Sequence, residues 1–426
     1  MAAKATDAVR GLNDNLKMPD KPKSRFARLL PGWLLLFTLG HFSHHLINAL
    51  AVPLMPFIRD NFHLDYAQSG LLLSVFSITY GLSQLPGGWL ADRIGTRVLM
   101  AIGICGVGLA GLFISFSTGY VMLLVLLGFM GLVGGGYHPS APPTVSTTLP
   151  PEHRGRAIGV HAIGGSASYF VAPLIAAATA ATWGWRSSYL ILAVPTLAFG
   201  VVLYFLMGRR KTGLEASRDG AECDVVPRRP GEERDLLAFM TLSSVTTIAY
   251  TAVISFIPLF LVDHFGMSQA SAALVIAVVY FTGIFANPLT GFLSDRVGRI
   301  PLLLVASLGL LPVLFFIDSV SRGLGVDLML VAYGIIIAMT QTSSESHIVG
   351  NVAEKNCSSV LGGYYFATMA GSGILIPLLG ALIDARGLHF SLSIIAVVVA
   401  AATVAYALWL AAGRGLKNAG KNLLRT

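Results

Sequence analysis

Four polar residues interrupt an otherwise apolar stretch near the start of the chain: His41, His44, His45 and Asn48, at i, i+3, i+4 and i+7. That spacing places them on one face of a helix. Imidazole changes charge near neutral pH, so such a face can hold an anion when protonated, hydrogen-bond a solute when neutral, or pass a proton along. His138, His161 and His347 recur in later apolar stretches. Of the 21 acidic residues, Glu345 alone sits well inside such a stretch, with Gln341 and Thr342 four and three positions before it on the same helix face. An ionisable side chain in hydrocarbon is expensive enough that it usually has a task. Glu345 is therefore the leading candidate for carrying a proton, and His45 and His138 are the imidazoles that could share that role. The competing expectation is that this helix ends early and Glu345 is simply solvated.

Other polar stripes accompany these. Tyr80 and Gln84 share a face with Ser77, Tyr250 lies between Thr247 and Thr251, and Tyr365 stands beside Tyr364 ahead of Thr368 and Ser372. The candidate solute-binding set is His41, His44, His45, Asn48, Tyr80, Gln84, His138, Tyr250, Gln341 and Tyr365. Any one of them could instead make a helix-packing hydrogen bond. The stripe in the first stretch, taken as a set, points to a cavity.

His41-x-x-His44-His45 also matches the H-x-x-H-H box of membrane di-iron oxygenases. Two irons need several such clusters, and the remaining histidines are single residues, so an enzyme is not expected. One transition-metal ion carried as cargo would find no thiolate or carboxylate to complete its ligands. Cys105, Cys223 and Cys357 share no C-x-x-C spacing, and no Gly-x-x-x-x-Gly-Lys loop exists for ATP. Neither cofactor nor metal is expected.

The elements that must position these groups follow from composition. Of 426 residues, 54% are hydrophobic and 12% charged, against roughly 25% charged in an ordinary soluble protein. Apolar runs fall near 29–58, 68–91, 98–117, 120–148, 155–181, 185–207, 237–264, 270–293, 300–317, 328–352, 357–383 and 390–412. Twelve spans make this an all-α membrane protein. Pro53, Pro56, Pro139, Pro142, Pro143 and Pro377 are expected to interrupt spans 1, 4 and 11 beside a cavity. With both termini inside, only Arg59, Arg186, Arg322 and Arg386 of the 29 Lys and Arg lie outside. That bias sets the orientation and accounts for the net charge of +8 without a nucleic-acid partner. The expected organisation is a cytoplasmic tail (1–28), a six-helix half (29–207), a polar cytoplasmic linker (208–236), a second six-helix half (237–412) and a C-terminal tail (413–426). The halves repeat: the run Gly88 to Gly95 closing span 2 returns as Gly291 to Gly298 closing span 8, an offset of 203 that also carries Gln84 onto Asn287 and Gly159 onto Gly362. A duplicated six-helix unit is the simplest cause.

Gly88-x-x-x-Asp92-Arg93-x-Gly95-x-Arg97, with its echo in Gly291, Asp295, Arg296, Gly298 and Arg299, resembles the signature loop of the major facilitator superfamily. The resemblance covers essentially the whole chain. It implies two pseudo-symmetric halves rocking about a central path, with spans 3, 6, 9 and 12 as outer supports and the two loops as a conformational latch in which Asp92 and Asp295 tie the halves together. A narrower likeness joins Ser43 to Asn48 and Tyr137-His138-Pro139 to the fosmidomycin-resistance branch of drug exporters. Here Ala49 and Ser140 stand where that branch carries acids. The expected function is secondary active transport of a small organic solute, anionic or drug-like, by proton-coupled export. Uptake symport of a carboxylate is the alternative, and a receptor or scaffold without flux is a third class that the two latch loops oppose. The expected partners are the solute, protons and lipid, and the expected setting is a monomer in a bacterial inner membrane.

Overall fold

The computed structural model describes residues 32–146, 148, 154–208, 232–321, 323–352 and 354–423. The expected tail 1–28 and residues 209–231 of the expected linker 208–236 lie outside those residues. Span 1 is Gly32–Asn48 followed by Ala51–Phe62, span 2 is Tyr66–Ile94, and span 3 is Thr96–Ile114. Span 4 is Tyr120–Gly134 with Tyr137–Ser146, span 5 Arg154–Trp183, and span 6 Trp185–Met207. Spans 7 to 12 are Glu232–Phe265, Gln269–Val297, Arg299–Phe316, Leu324–Asn351, Glu354–Arg386 and Leu388–Leu423. Eleven of the spans are long and apolar enough to cross a bilayer. Span 2 has the length, 29 residues, but Gln68, Ser69, Ser74, Ser77, Ser83 and Gln84 dilute its apolar character. It sits between other helices: Ser83 donates to Gly131 O of span 4 and Ser74 to Gly373 O of span 11.

Two of the prolines coincide with helix breaks, whereas Pro56, Pro142 and Pro143, expected to interrupt the same spans, lie within Ala51–Phe62 and Tyr137–Ser146 without breaking them. A proline lacks the N–H that would bond the carbonyl four residues back, and its ring clashes with that carbonyl. Four residues before Pro53 is Ala49, and four before Pro139 is Gly135; spans 1 and 4 break at 49–50 and 135–136. Span 11, expected to break at Pro377, stays helical throughout. The carbonyl that Pro377 frees belongs to Gly373, and Ser74 Oγ donates to it at 2.6 Å. A neighbouring helix satisfies the backbone, so the helix need not open.

The 203-residue offset reaches further than the signature loops. Asp65 caps span 2 and Ser268 caps span 8 through side-chain hydrogen bonds to backbone N–H groups. Gly95 and Gly298 end those spans at φ 89° and 95°, close to a backbone region that only glycine occupies at low cost. Gly184 and Gly387, a pair the sequence reading did not single out, repeat this between spans 5 and 6 and spans 11 and 12 at φ 81° and 78°. Within the loops, Arg93 lies over the Trp89 ring and Arg296 over the Phe292 ring. Arg97 donates to Tyr204 O of span 6 at 2.8 Å, and Arg299 lies against Gly350 of span 10. The side chains of Asp92 and Asp295 are outside those described.

The polar ties described between the halves include a cluster at the end of the bundle opposite the signature loops, the end expected from the basic-residue bias to face outside. Arg59 of span 1 donates twice to Asp263 of span 7, at 2.6 and 2.8 Å, and Tyr66 Oη donates to the same carboxylate at 2.6 Å. Asp384 of span 11 accepts from the N–H groups of Tyr66 and Ala67 at 3.3 and 3.0 Å, a carboxylate at the positive end of span 2. Gln269 of span 8 donates to Pro56 O at 3.3 Å and to Asp60. Arg59→Ala should therefore loosen this end. In a background without the native cysteines, a cysteine replacing Ser255, which lines the central cavity, should label from outside about fivefold faster, the factor that ~1 kcal/mol of lost bias produces. Unchanged labelling would mean that packing alone holds the seam.

Candidate substrate cavity

A cavity of about 250 Å³ lies between the halves. Spans 1, 2, 4 and 5 contribute His41, His45, Asn48, Tyr80, Gln84, His138 and Ser166, and spans 7, 8, 10 and 11 contribute Tyr250, Asn287, Gln341, Glu345 and Tyr365. None of the lining residues comes from spans 3, 6, 9 or 12, and none is Lys or Arg. Of the ten solute-binding candidates, His44 alone is not on the wall. At 100° per residue His41, His45 and Asn48 lie within about 60° of one another, and His44 lies further round the helix. It is fully buried, its Nε2 bonds Tyr80 Oη at 2.9 Å, and its ring stacks on Tyr137 at 4.4 Å.

The breaks in spans 1 and 4 bring the histidines of the two spans together. His45 Nε2 and His138 Nε2 are 3.0 Å apart, so one ring donates and the other accepts. His41 Nδ1 donates to His161 O at 2.9 Å, and the His41 and His161 rings stack at 4.3 Å. Behind this wall several buried polar atoms have no hydrogen-bond partner: His45 Nδ1, Asn48 Oδ1 and both amide atoms of Gln84. Native interiors rarely leave such atoms unmet, but others lie away from the cavity, at Ser69, Ser117 and Thr196, so it is the polar lining itself that marks where a solute binds. Across the cavity, Glu345 Oε1 accepts from Tyr365 Oη at 2.9 Å and faces Gln341 Nε2 at 3.5 Å. Span 10 remains helical to Asn351, past Glu345. His347 lies away from the cavity, its ring 4.0 Å from that of Phe239.

Asn287, Ser166, Tyr169 and Tyr280 also line the cavity and were not among the candidates. Asn287 joins three spans: it donates to Ser166 Oγ at 2.8 Å and accepts from Thr342 Oγ1 at 3.0 Å. The Tyr169 and Tyr280 rings stack across the halves at 4.8 Å. The repeat could have flagged Asn287 as the counterpart of Gln84. It equally pairs His138 with Gln341, since 341 − 138 is again 203. No signal in the sequence marks Ser166, a serine in a span rich in small residues.

Residues 37–349 match the sequence model of the Major Facilitator Superfamily. The chain belongs to that superfamily. Among similar facilitators, the hexuronate transporter of Bacillus subtilis is 26% identical over 382 residues, covering 84% of this chain and 89% of that one. A probable nitrate/nitrite antiporter of Thermus thermophilus is 27% identical over 301 residues, 65% of this chain and 63% of its own length. The phosphoglycerate transporter protein of Salmonella typhimurium is 27% identical over 324 residues, 67% of this chain and 68% of its own. The crystal structure of a bacterial homolog to the human lysosomal transporter Spinster, inward-facing and unoccupied, has the same fold: TM-score 0.66, 18% identity, 91% of this chain and 97% of that one.

As a facilitator, the chain is a multi-pass membrane transporter of small solutes and not an enzyme. With no Lys or Arg among its described lining residues, the cavity meets a negative group with N–H and O–H donors, among them the imidazoles of His45 and His138, the amides of Asn48, Gln84, Asn287 and Gln341, and the hydroxyls of Tyr80, Tyr250 and Tyr365. Among those described lining residues the one acid is Glu345.

Proposed function

We propose that this facilitator moves a small organic anion, a carboxylate first among them, together with protons, and that Glu345 is the proton carrier. The observation that carries the proposal is the composition of the two walls: neutral donors and acceptors on the N-terminal half, one carboxylate on the C-terminal half, and no Lys or Arg among the described lining residues. An anion entering beside an ionised Glu345 meets a like charge, and protonation removes that repulsion. Anion and proton then favour each other's binding, and the coupling is reciprocal. The neutral N–H of His45 or His138, with Gln84 and Asn48, orients the carboxylate. The anionic solutes in the relatives' names, hexuronate, nitrate and phosphoglycerate, support this class. The path lies within one chain, in keeping with a working monomer, in a bacterial inner membrane with both termini inside.

Proton-exchange export is the second reading, favoured by the His44-His45 and His138-Pro139 likeness in spans 1 and 4. The two differ in sign. Symport requires anion affinity to rise as pH falls through the titration of Glu345, whereas exchange requires it to fall. Binding of a hexuronate panel to purified protein at about pH 5.5 and 7.5, then flux in proteoliposomes under an imposed pH gradient, separates them. His45→Ala should weaken anion binding about tenfold, the loss of one hydrogen bond to a charged group. Unchanged affinity would remove His45 from the site.

A further inference from the structure

The histidines of the N-terminal wall converge more closely than anion binding requires. One ring nitrogen from each of His41, His45 and His138 lies within 4.8 Å of the other two, and the ring centroids are 4.8 to 5.6 Å apart. His45 and His138 already meet nitrogen to nitrogen at 3.0 Å through a shared proton. That hydrogen bond accounts for two of the nitrogens, and the third, from His41, joins them with no hydrogen bond to either among the described contacts. We propose that His41, His45 and His138 form a binding site for one divalent transition-metal ion of the zinc class, with its remaining coordination position open to the cavity.

Zinc holds imidazole nitrogen at about 2.0–2.1 Å, which sets tetrahedral ligand nitrogens roughly 3.4 Å apart; each ring need move by less than about 1 Å. The support around the ligands fits. His41 Nδ1 carries its proton to the His161 carbonyl, which leaves Nε2 with the lone pair, and metal-bound histidines are commonly held by such a bond. Gly165 makes room for that ring, since a Cβ there would stand 2.8 Å from His41 Cε1. The third ligand, His138, comes from another helix 93 residues along the chain from His45, and so supplies what the H-x-x-H-H box lacks by itself.

Charge gives the site a further property. Three neutral imidazoles leave a dication uncompensated in a low-dielectric cavity. The acid on the cavity wall is Glu345, bonded to Tyr365, whose ring is 5.4 Å from that of His138. An anionic oxygen at the open position completes both the coordination and the neutralisation, so metal and organic anion should bind together. The metal site itself does not depend on the anion reading.

The test is titration of untagged, purified protein with Co2+, whose visible absorption reports nitrogen ligation and low coordination number, followed by displacement with Zn2+. One saturable equivalent is expected, weakened about 100-fold or more in His41→Ala and His138→Ala, since even the bonds that orient a ligand are worth 10–100-fold. His389→Ala, which removes an exposed histidine paired with Asp318, should leave it unchanged. No saturable absorption, or full absorption in His138→Ala, would overturn the site. Should the variants fail to fold, Zn2+ protection of His45 and His138 from diethylpyrocarbonate in the wild type decides: protection supports the site and equal modification overturns it. Adding glucuronate should shift the Co2+ band and tighten binding. A band that appears but does not respond keeps the metal site and overturns joint binding of metal and anion.

Discussion

Glu345→Gln should abolish the accumulation of anion driven by a pH gradient, by at least about tenfold, while exchange of labelled for unlabelled anion continues. The amide has the shape of the carboxyl, and its oxygen can still accept from Tyr365 Oη, which now bonds Glu345 Oε1 at 2.9 Å. What it cannot do is gain or lose a proton, so it holds the cavity permanently in the uncharged state. Since that state is the one that welcomes an anion, affinity at about pH 7.5 should rise and its dependence on pH should flatten. A tenfold effect corresponds to roughly one pH unit of coupled proton free energy. Proteoliposome uptake with and without an imposed gradient measures it. Gradient-driven accumulation at the wild-type level would remove Glu345 from the coupling mechanism and return attention to His45 and His138.

Gly380→Ala should prise the outer seam open. Spans 2 and 11 approach backbone to backbone, and a Cβ at Gly380 would stand 2.6 Å from Tyr66 O. Tyr66 has little freedom to withdraw, because its N–H is bonded to Asp384 and its hydroxyl to Asp263. The same closeness recurs down the seam, where a Cβ at Gly373 would lie 2.5 Å from Ile78 Cγ1 and one at Gly81 3.0 Å from Ala370 N. Overpacking of this kind costs about 1–3 kcal/mol, which should lower the thermal midpoint by about 1–3 °C and raise outside labelling at position 255 above that of Arg59→Ala. A midpoint and labelling rate equal to wild type would mean that the resting protein does not keep this seam closed.

Much of the architecture was legible in the residues because a bilayer imposes simple rules. Twelve apolar runs, the separation of polar spans from apolar supports, and the return of Gly88 to Gly95 as Gly291 to Gly298 all survive in one dimension. So does the proline effect, once it is counted back four residues to Ala49 and Gly135. The offset of 203 extends beyond the signature loops: it pairs Gly184 with Gly387, Asp65 with Ser268, and His138 with Gln341. Gly131 and Gly334 repeat even their contacts, each meeting a carbonyl of the preceding polar span, Phe76 O and Val279 O.

Other features depended on how helices dock. Periodicity put His44 on the same face as His41, His45 and Asn48, but a stripe that wide meets two surroundings, and the packing of spans 2 and 4 turned His44 towards Tyr80 and Tyr137. Three imidazoles from spans 1 and 4 meet because span 4 packs His138 against His41 and His45 of span 1. Arg59 finds Asp263 across 204 positions of sequence. The sequence by itself determined the spans and their duplication, since each is written in local hydropathy and repetition. The tertiary structure decided which polar groups share the cavity and which ties close its outer end, because those depend on the docking of one half against the other, and no local pattern encodes a contact between surfaces that far apart in the chain.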